Sequence, residues 1–150
     1  MKIKISLLAC MVSIALSSGC VSNEIGTKPK NNLDKAAILY KEGASLEEGG
    51  IDNFLEAESK YIEAAKFGSV DALNALGVLY MKTENYSKAQ KYFGEAAKKG
   101  DEIASFNLAN MELTNAYSEP NINKAIELYS YSADKNYAPA LVALGDIYAT

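Results

Sequence analysis

Residues 72–104 read A-L-N-A-L-G-V-L-Y-M-K-T-E-N-Y-S-K-A-Q-K-Y-F-G-E-A-A-K-K-G-D-E-I-A, and this stretch decides the fold. Two helical patterns lie in it, separated by a polar break at Thr83–Asn85. The second pattern, set in register, is Asn85, Ala89, Phe93, Ala96-Ala97, Gly100, Ala104 and Leu108. The same residue kinds stand 32 positions upstream at Asn53, Ala57, Tyr61, Ala64-Ala65, Gly68, Ala72 and Leu76. They stand again 36 positions downstream at Asn121, Ala125, Tyr129, Ser132-Ala133, Asn136, Ala140 and Leu144. A self-similar period of this size is the mark of a stacked array.

Each repeated position has a physical reason. Asn53, Asn85 and Asn121 precede helical runs, where a side-chain amide oxygen accepts from a free backbone N–H. Gly68, Gly100 and Asn136 close those runs, and these residue types tolerate the left-handed conformation found just past a helix end. The small pairs let neighbouring helices approach closely. Tyr61, Phe93 and Tyr129 fill space one turn earlier on the same face. A single bundle with accidental similarity is the alternative, and the joint recurrence of caps, small pairs and aromatics decides against it.

Ala72-x-x-x-Leu76-Gly77-x-x-Tyr80, followed by Lys88-Ala89-x-x-Tyr92-Phe93-x-x-Ala96-Ala97-x-x-Gly100-x-x-x-Ala104, resembles the Sel-one-like repeat, a relative of the tetratricopeptide repeat. Ala140-x-x-x-Leu144-Gly145-x-x-Tyr148 repeats its first half, and Lys124-Ala125 to Ala133 its second. The third copy departs from the pattern at Ala109 and Glu112, and the first, around Ala36 to Tyr40, keeps little of it. The resemblance covers residues 33–150. It implies an all-α fold, an α-solenoid of about three helical hairpins plus a C-terminal capping helix. Helices are expected near 33–48, 52–67, 70–83, 85–99, 102–116, 121–135 and 138–149, with Pro139 in the first turn of the last. That last helix has the apolar face of a first helix but no partner. It is read as a cap; cover by a partner, or a fragmentary sequence, are the alternatives.

Residues 1–20 stand outside the fold. Lys2 and Lys4 precede the largely apolar run Ile5–Leu16, which has signal-peptide length and is short for a membrane span. Ser17-Ser18-Gly19 then leads to Cys20, an ending similar to the bacterial lipoprotein signal, although Leu16 lies one position too early. Lipidation at Cys20 is therefore expected, with an ordinary signal peptide and a free Cys20 as the alternative. Residues 21–32, V-S-N-E-I-G-T-K-P-K-N-N, read as a flexible tether that reaches about 35–40 Å when extended. This places the repeat domain in the bacterial cell envelope, lipid-anchored and facing the periplasm. Val21 after the cysteine lacks the aspartate common to inner-membrane lipoproteins, so the outer membrane is the expected address.

Several chemistries find no support in the residue inventory. Without the two leader lysines the chain keeps 13 lysines against 19 acids, a net of −6, with no arginine and no histidine. Nucleic-acid binding needs the opposite sign. Acid–base catalysis usually employs histidine, and the common zinc sets need histidine or cysteine. No catalytic residue, metal site or cofactor is expected. Ser132-Ala133-Asp134-Lys135 and Ser105-Phe106-Asn107 match two marks of penicillin-interacting serine enzymes, but the third, K-T-G, is missing and Ser132 occupies the register of Ala64 and Ala96. Ser132 is read as a packing residue.

In tetratricopeptide-like arrays the first helix of each pair lines the concave groove. By that resemblance the groove presents Asp71, Asn74, Val78, Met81 and Lys82, then Ile103, Phe106, Asn110 and Leu113, with Asp34, Ile38 and Lys41 from the first copy. An apolar strip edged with polar residues suits a peptide or protein loop. The alternative is that Ile103, Phe106 and Leu113 pack against the next helix. The function implied is a non-enzymatic scaffold whose partner is an envelope protein or peptide. A periplasmic immunity protein against a toxin such as a lipase is the second reading, and a penicillin-interacting enzyme the third.

Overall fold

Four helices of this chain stop in one way. At Gly68, Glu84, Gly100 and Asn136 the backbone turns left-handed, with φ of 98°, 56°, 95° and 65°. The next N–H then reaches back over the last turn: Ser69 N to Ala64 O, Asn85 N to Tyr80 O, Asp101 N to Ala96 O and Tyr137 N to Ser132 O, at 2.8–3.2 Å. These Schellman closures cut the chain into short helices and turn each sharply into the next. Glu84 pays for its β-carbon in that conformation. Glu84→Gly is expected to raise stability by about 1 kcal/mol and the melting temperature by roughly 4 °C, measured by circular dichroism.

The computed structural model describes residues 30–114 and 119–149. Seven α-helices form there: α1 (Asn32–Glu48), α2 (Phe54–Lys66), α3 (Val70–Lys82), α4 (Tyr86–Lys98), α5 (Glu102–Leu113), α6 (Ile122–Asp134) and α7 (Ala138–Tyr148). A single 3₁₀ turn at Ile51–Asn53 precedes α2, and no strand occurs among the described residues. Pairs α1–α2, α3–α4 and α5–α6 pack most extensively, α2–α3, α4–α5 and α6–α7 less so. Three hairpins thus stack in chain order, and α7 leans on the last. The architecture is an α-solenoid.

The hairpins are locked by one repeated device. Tyr61, Phe93 and Tyr129 are buried, 1–2% exposed, each on the second helix of its hairpin. A β-carbon added to Gly43 would lie 2.7 Å from the Tyr61 ring, and one on Gly77 would lie 2.4 Å from the Phe93 ring. The ring therefore sits in a socket that the first helix opens by omitting a side chain. In the third hairpin Ala109 takes that place and shares a cluster with Tyr129. Ala57, Ala89 and Ala125, and Ala64, Ala96 and Ser132, flank the rings and are fully buried.

Other expectations are corrected. Asn85 and Asn121 cap as expected, accepting from Lys88 N and Lys124 N at 3.3 and 3.1 Å. Asn53 does not: the 3₁₀ turn places it so that its amide donates to Leu46 O at 3.3 Å, tying α2 to the end of α1. Helix α1 starts at Asn32, one residue earlier than expected, because Asn31 accepts from Asp34 N. Helix α5 ends at Leu113, not 116: Thr114 is extended and its hydroxyl donates to Met111 O. The expected signal segment 1–20, with Cys20, and residues 21–29 of the expected tether lie outside the described residues.

Candidate partner-binding groove

One wall of the array is built from first helices. Helix α3 presents Asp71, Asn74, Ala75, Val78 and Lys82, a spacing of three and four that keeps them on one face. Helix α1 adds Tyr40, Ala44, Glu47 and Glu48, and Asp101 with Ile103 come from the start of α5. Together they enclose a groove of about 460 Å³ that crosses all three hairpins.

Glu47 is the corner of this groove. It accepts from the Tyr61 hydroxyl at 2.9 Å and pairs with the Lys82 ammonium. That one carboxylate joins α1, α2 and α3. At the far end Asn107 Nδ2 donates to Asn74 Oδ1 at 3.1 Å, joining α5 to α3. Asp101 caps α5 by accepting from Ala104 N at 2.6 Å.

No family model matches this chain, and no curated protein matches it. Solved structures do. A Sel1 repeat protein from Oxalobacter formigenes superimposes with a TM-score of 0.68 at 26% identity, over 77% of this chain and 49% of that one. A protective antigen present in uropathogenic Escherichia coli strains, displaying an SLR fold, gives 0.67 at 29% identity, over 75% of this chain and 26% of that one. This chain is a Sel1-like repeat protein. It spans less than half the length of either. The Sel1 repeat fold generally mediates protein–protein interaction and is typically a non-enzymatic scaffold.

The Sel1-like array sorts the expected groove residues into two sets. Asp71, Asn74, Val78, Lys82 and Ile103 come together along one groove. Met81 instead packs on the main core, and Phe106 and Leu113 pack on the second core, under α6 and α7. The Phe106 ring lies 5.5 Å from that of Tyr129 and 5.3 Å from that of Tyr137. Asn110 is exposed and accepts from the Tyr129 hydroxyl at 2.5 Å. On α1, Asp34, Ile38 and Lys41 do not line the groove; Tyr40, Ala44, Glu47 and Glu48 do. The missed signal was Gly43, which sets α1 in register with Gly77 and so points Tyr40 and Ala44 where Asn74 and Val78 point.

Ser132 is fully buried, and its hydroxyl donates to Glu102 O at 2.8 Å. It is spent on joining α6 to α5. No cluster of three or more potential metal ligands occurs among the described residues.

Charge distinguishes this groove. Glu47, Glu48, Asp71 and Asp101 stand against Lys82 alone. Among the described residues Glu48, Asp71 and Asp101 have no ion-pair partner. The negative field is visible in the neighbouring groups. Burial raises the Asp101 pKa above the usual carboxylate value, with Glu102 and Asp71 adding to it against the Ala104 N–H bond. Burial, then Asp71 and Glu47, raise that of Tyr40. A larger groove of about 650 Å³ lies between α4 and α6, but its rim mixes Lys91, Lys98 and Lys124 with Glu95 and Glu127. Its charges offset one another, so it selects no sign of partner.

Proposed function

We propose that this protein is a lipid-anchored adaptor of the bacterial envelope that captures a cationic, partly apolar segment of another protein. The observation that carries the reading is the predominantly acidic lining of the groove across α1, α3 and α5, four carboxylates against Lys82, set around Tyr40, Val78 and Ile103. Opposite charge speeds encounter and fixes register, and the apolar patches supply contact area.

A fluorescent twelve-residue peptide of alternating lysine and leucine, with a glutamate–leucine peptide as control, tests this by anisotropy. The lysine peptide is expected to bind and to weaken with salt. Asp71→Asn with Asp101→Asn is expected to weaken it about tenfold at low salt, each charge contributing roughly 1 kcal/mol or less. Asparagine preserves the cap at residue 101. The pH dependence has a definite sign. The folded protein holds the Asp101 proton more tightly than the unfolded chain does, so this carboxyl costs stability as pH rises from its unfolded pKa through the raised one. A bound cation favours the ionised form, so affinity rises across that same window. Equal binding of both peptides would contradict the proposal.

The membrane half of the reading is supported by Lys2, Lys4, the run Ile5–Leu16 and the Ser17-Ser18-Gly19-Cys20 ending. Cells expressing the chain are expected to incorporate labelled palmitate into it, and Cys20→Ser to abolish the label and release the protein from membranes. Labelling unchanged in Cys20→Ser would contradict anchoring at that residue.

A further inference from the structure

The Glu47–Lys82 ion pair borders two spaces. Both residues line the acidic groove, and both also line a second pocket, of about 220 Å³, beside it. The rest of that pocket is Gly50 and Phe54, where α1 passes into α2, with Leu79 and Thr83 at the end of α3. Each wall has a physical reason. Gly50 has φ 102°, which favours glycine, and among the described residues nothing lies within 4 Å of a β-carbon built on it. The Phe54 ring stands edge-on to that of Tyr80, with 6.3 Å between centroids. Leu79 is buried. The Thr83 hydroxyl donates to Leu79 O and Tyr80 O at 3.4 and 3.3 Å, so it is spent on its own helix. Glu47 and Lys82 are the remaining polar side chains of the lining, and they bond to each other.

Size decides the class of occupant. Sites for cofactors and metabolites usually measure about 300–1,000 Å³, whereas an apolar cavity of about 150 Å³ accepts benzene. The pocket therefore has room for one ring-sized side chain and not for a larger molecule. Charge decides what stands next to that ring. The border with the groove carries Glu47, oriented by the Tyr61 hydroxyl, and Glu48 follows it in the groove without an ion-pair partner. We infer that this pocket takes one aromatic side chain of the partner segment, next to a lysine or arginine that the groove draws to Glu47 and Glu48. The inference rests on the reading of the groove as a receptor for a cationic segment, and it adds what that segment must carry: a ring beside a cation.

Two fluorescent twelve-residue peptides test this by anisotropy on the full chain. One alternates lysine and alanine; the other has a single central alanine replaced by phenylalanine. The ring is expected to tighten binding about tenfold, as burial of a phenylalanine allows. In the isotope-labelled chain it is expected to add amide shift changes at Gly50, Phe54 and Leu79 that the all-alanine peptide does not cause. Thr83→Phe supplies a ring from the chain itself and is expected to equalise the two peptides at the affinity of the weaker one. Thr83→Val keeps the shape of the side chain and is expected to retain the gain. A glutamate–alanine peptide is expected to gain nothing from the same phenylalanine. The failures are distinguishable. If the lysine–alanine peptide binds but the ring adds no affinity, adds as much in Thr83→Phe, or leaves Gly50, Phe54 and Leu79 unshifted, the pocket assignment falls and the groove reading stands. If neither lysine peptide binds, both fall. An equal gain in the glutamate peptide would overturn the pairing of ring with cation.

Discussion

Replacing Phe93 with alanine is expected to destabilise the protein by roughly 3–5 kcal/mol, measured by urea unfolding. The ring is 2% exposed and stands where α3 omits a side chain at Gly77. Its removal leaves a cavity in the middle hairpin, through which the first and third are joined. An array is stabilised by contacts between neighbours, so loss at the centre separates the ends. The sharper part of the expectation is a change of sign. Gly77→Ala alone is expected to cost about 1–3 kcal/mol, because its methyl would meet the Phe93 ring at 2.4 Å. In the Phe93→Ala background the same change is expected to be neutral or stabilising, since the cavity admits the methyl and alanine favours a helix. Additive effects in this cycle would show that ring and glycine do not act as a unit.

Phe106→Glu is expected to lower stability by about 2–3 kcal/mol, less than a fully buried ring because Phe106 is half-buried. Its ring contacts Tyr129 and Tyr137, so a carboxylate there loses two aromatic neighbours and loosens α6 and the turn into α7. Binding of the lysine–leucine peptide at saturating folded protein is expected to remain, since the groove lies across α1, α3 and α5. An unchanged melting temperature with lost peptide binding would reverse the assignment and return Phe106 to the docking surface.

The solenoid was legible because the residues that build it act locally. Gly68, Gly100 and Asn136 close helices through their own backbone, and Asn85 and Asn121 cap through N–H groups three residues away. Such features need no knowledge of the rest of the molecule. Glu84 escaped notice because glutamate is not a residue type associated with left-handed backbone; the rigid turn from α3 into α4 imposes it. Asn53 misled because its cap depends on where the 3₁₀ turn aims it, a matter set by α1 packing on α2.

The groove was half legible for a related reason. In α3 the spacing of Asp71, Asn74, Val78 and Lys82 is anchored by Gly77, and the four line one groove. In α1 the matching anchor is Gly43, and 18 residues separate it from Tyr61, where 16 separate Gly77 from Phe93. The longer connection through Gly49, Gly50 and the 3₁₀ turn hides that register, and the groove takes Tyr40, Ala44, Glu47 and Glu48 from α1 in place of Asp34, Ile38 and Lys41. In α5 the rings of Tyr129 and Tyr137 take up Phe106, and no local pattern records that approach. Charge fared differently again. The net acidity is plain in composition, but its concentration in one groove needs three helices from distant parts of the chain to meet.

The central claim is that the ring-and-glycine sockets hold the hairpins together and so leave the first-helix faces free to take a partner. The most direct measurement is an amide chemical-shift map of the labelled chain titrated with the lysine–leucine peptide. The account predicts the largest changes at Tyr40, Glu47, Val78 and Ile103, saturating at about tenfold higher peptide concentration in Asp71→Asn with Asp101→Asn. Changes confined to the α4–α6 side, around Lys91 and Glu127, or none at saturating peptide, would contradict it.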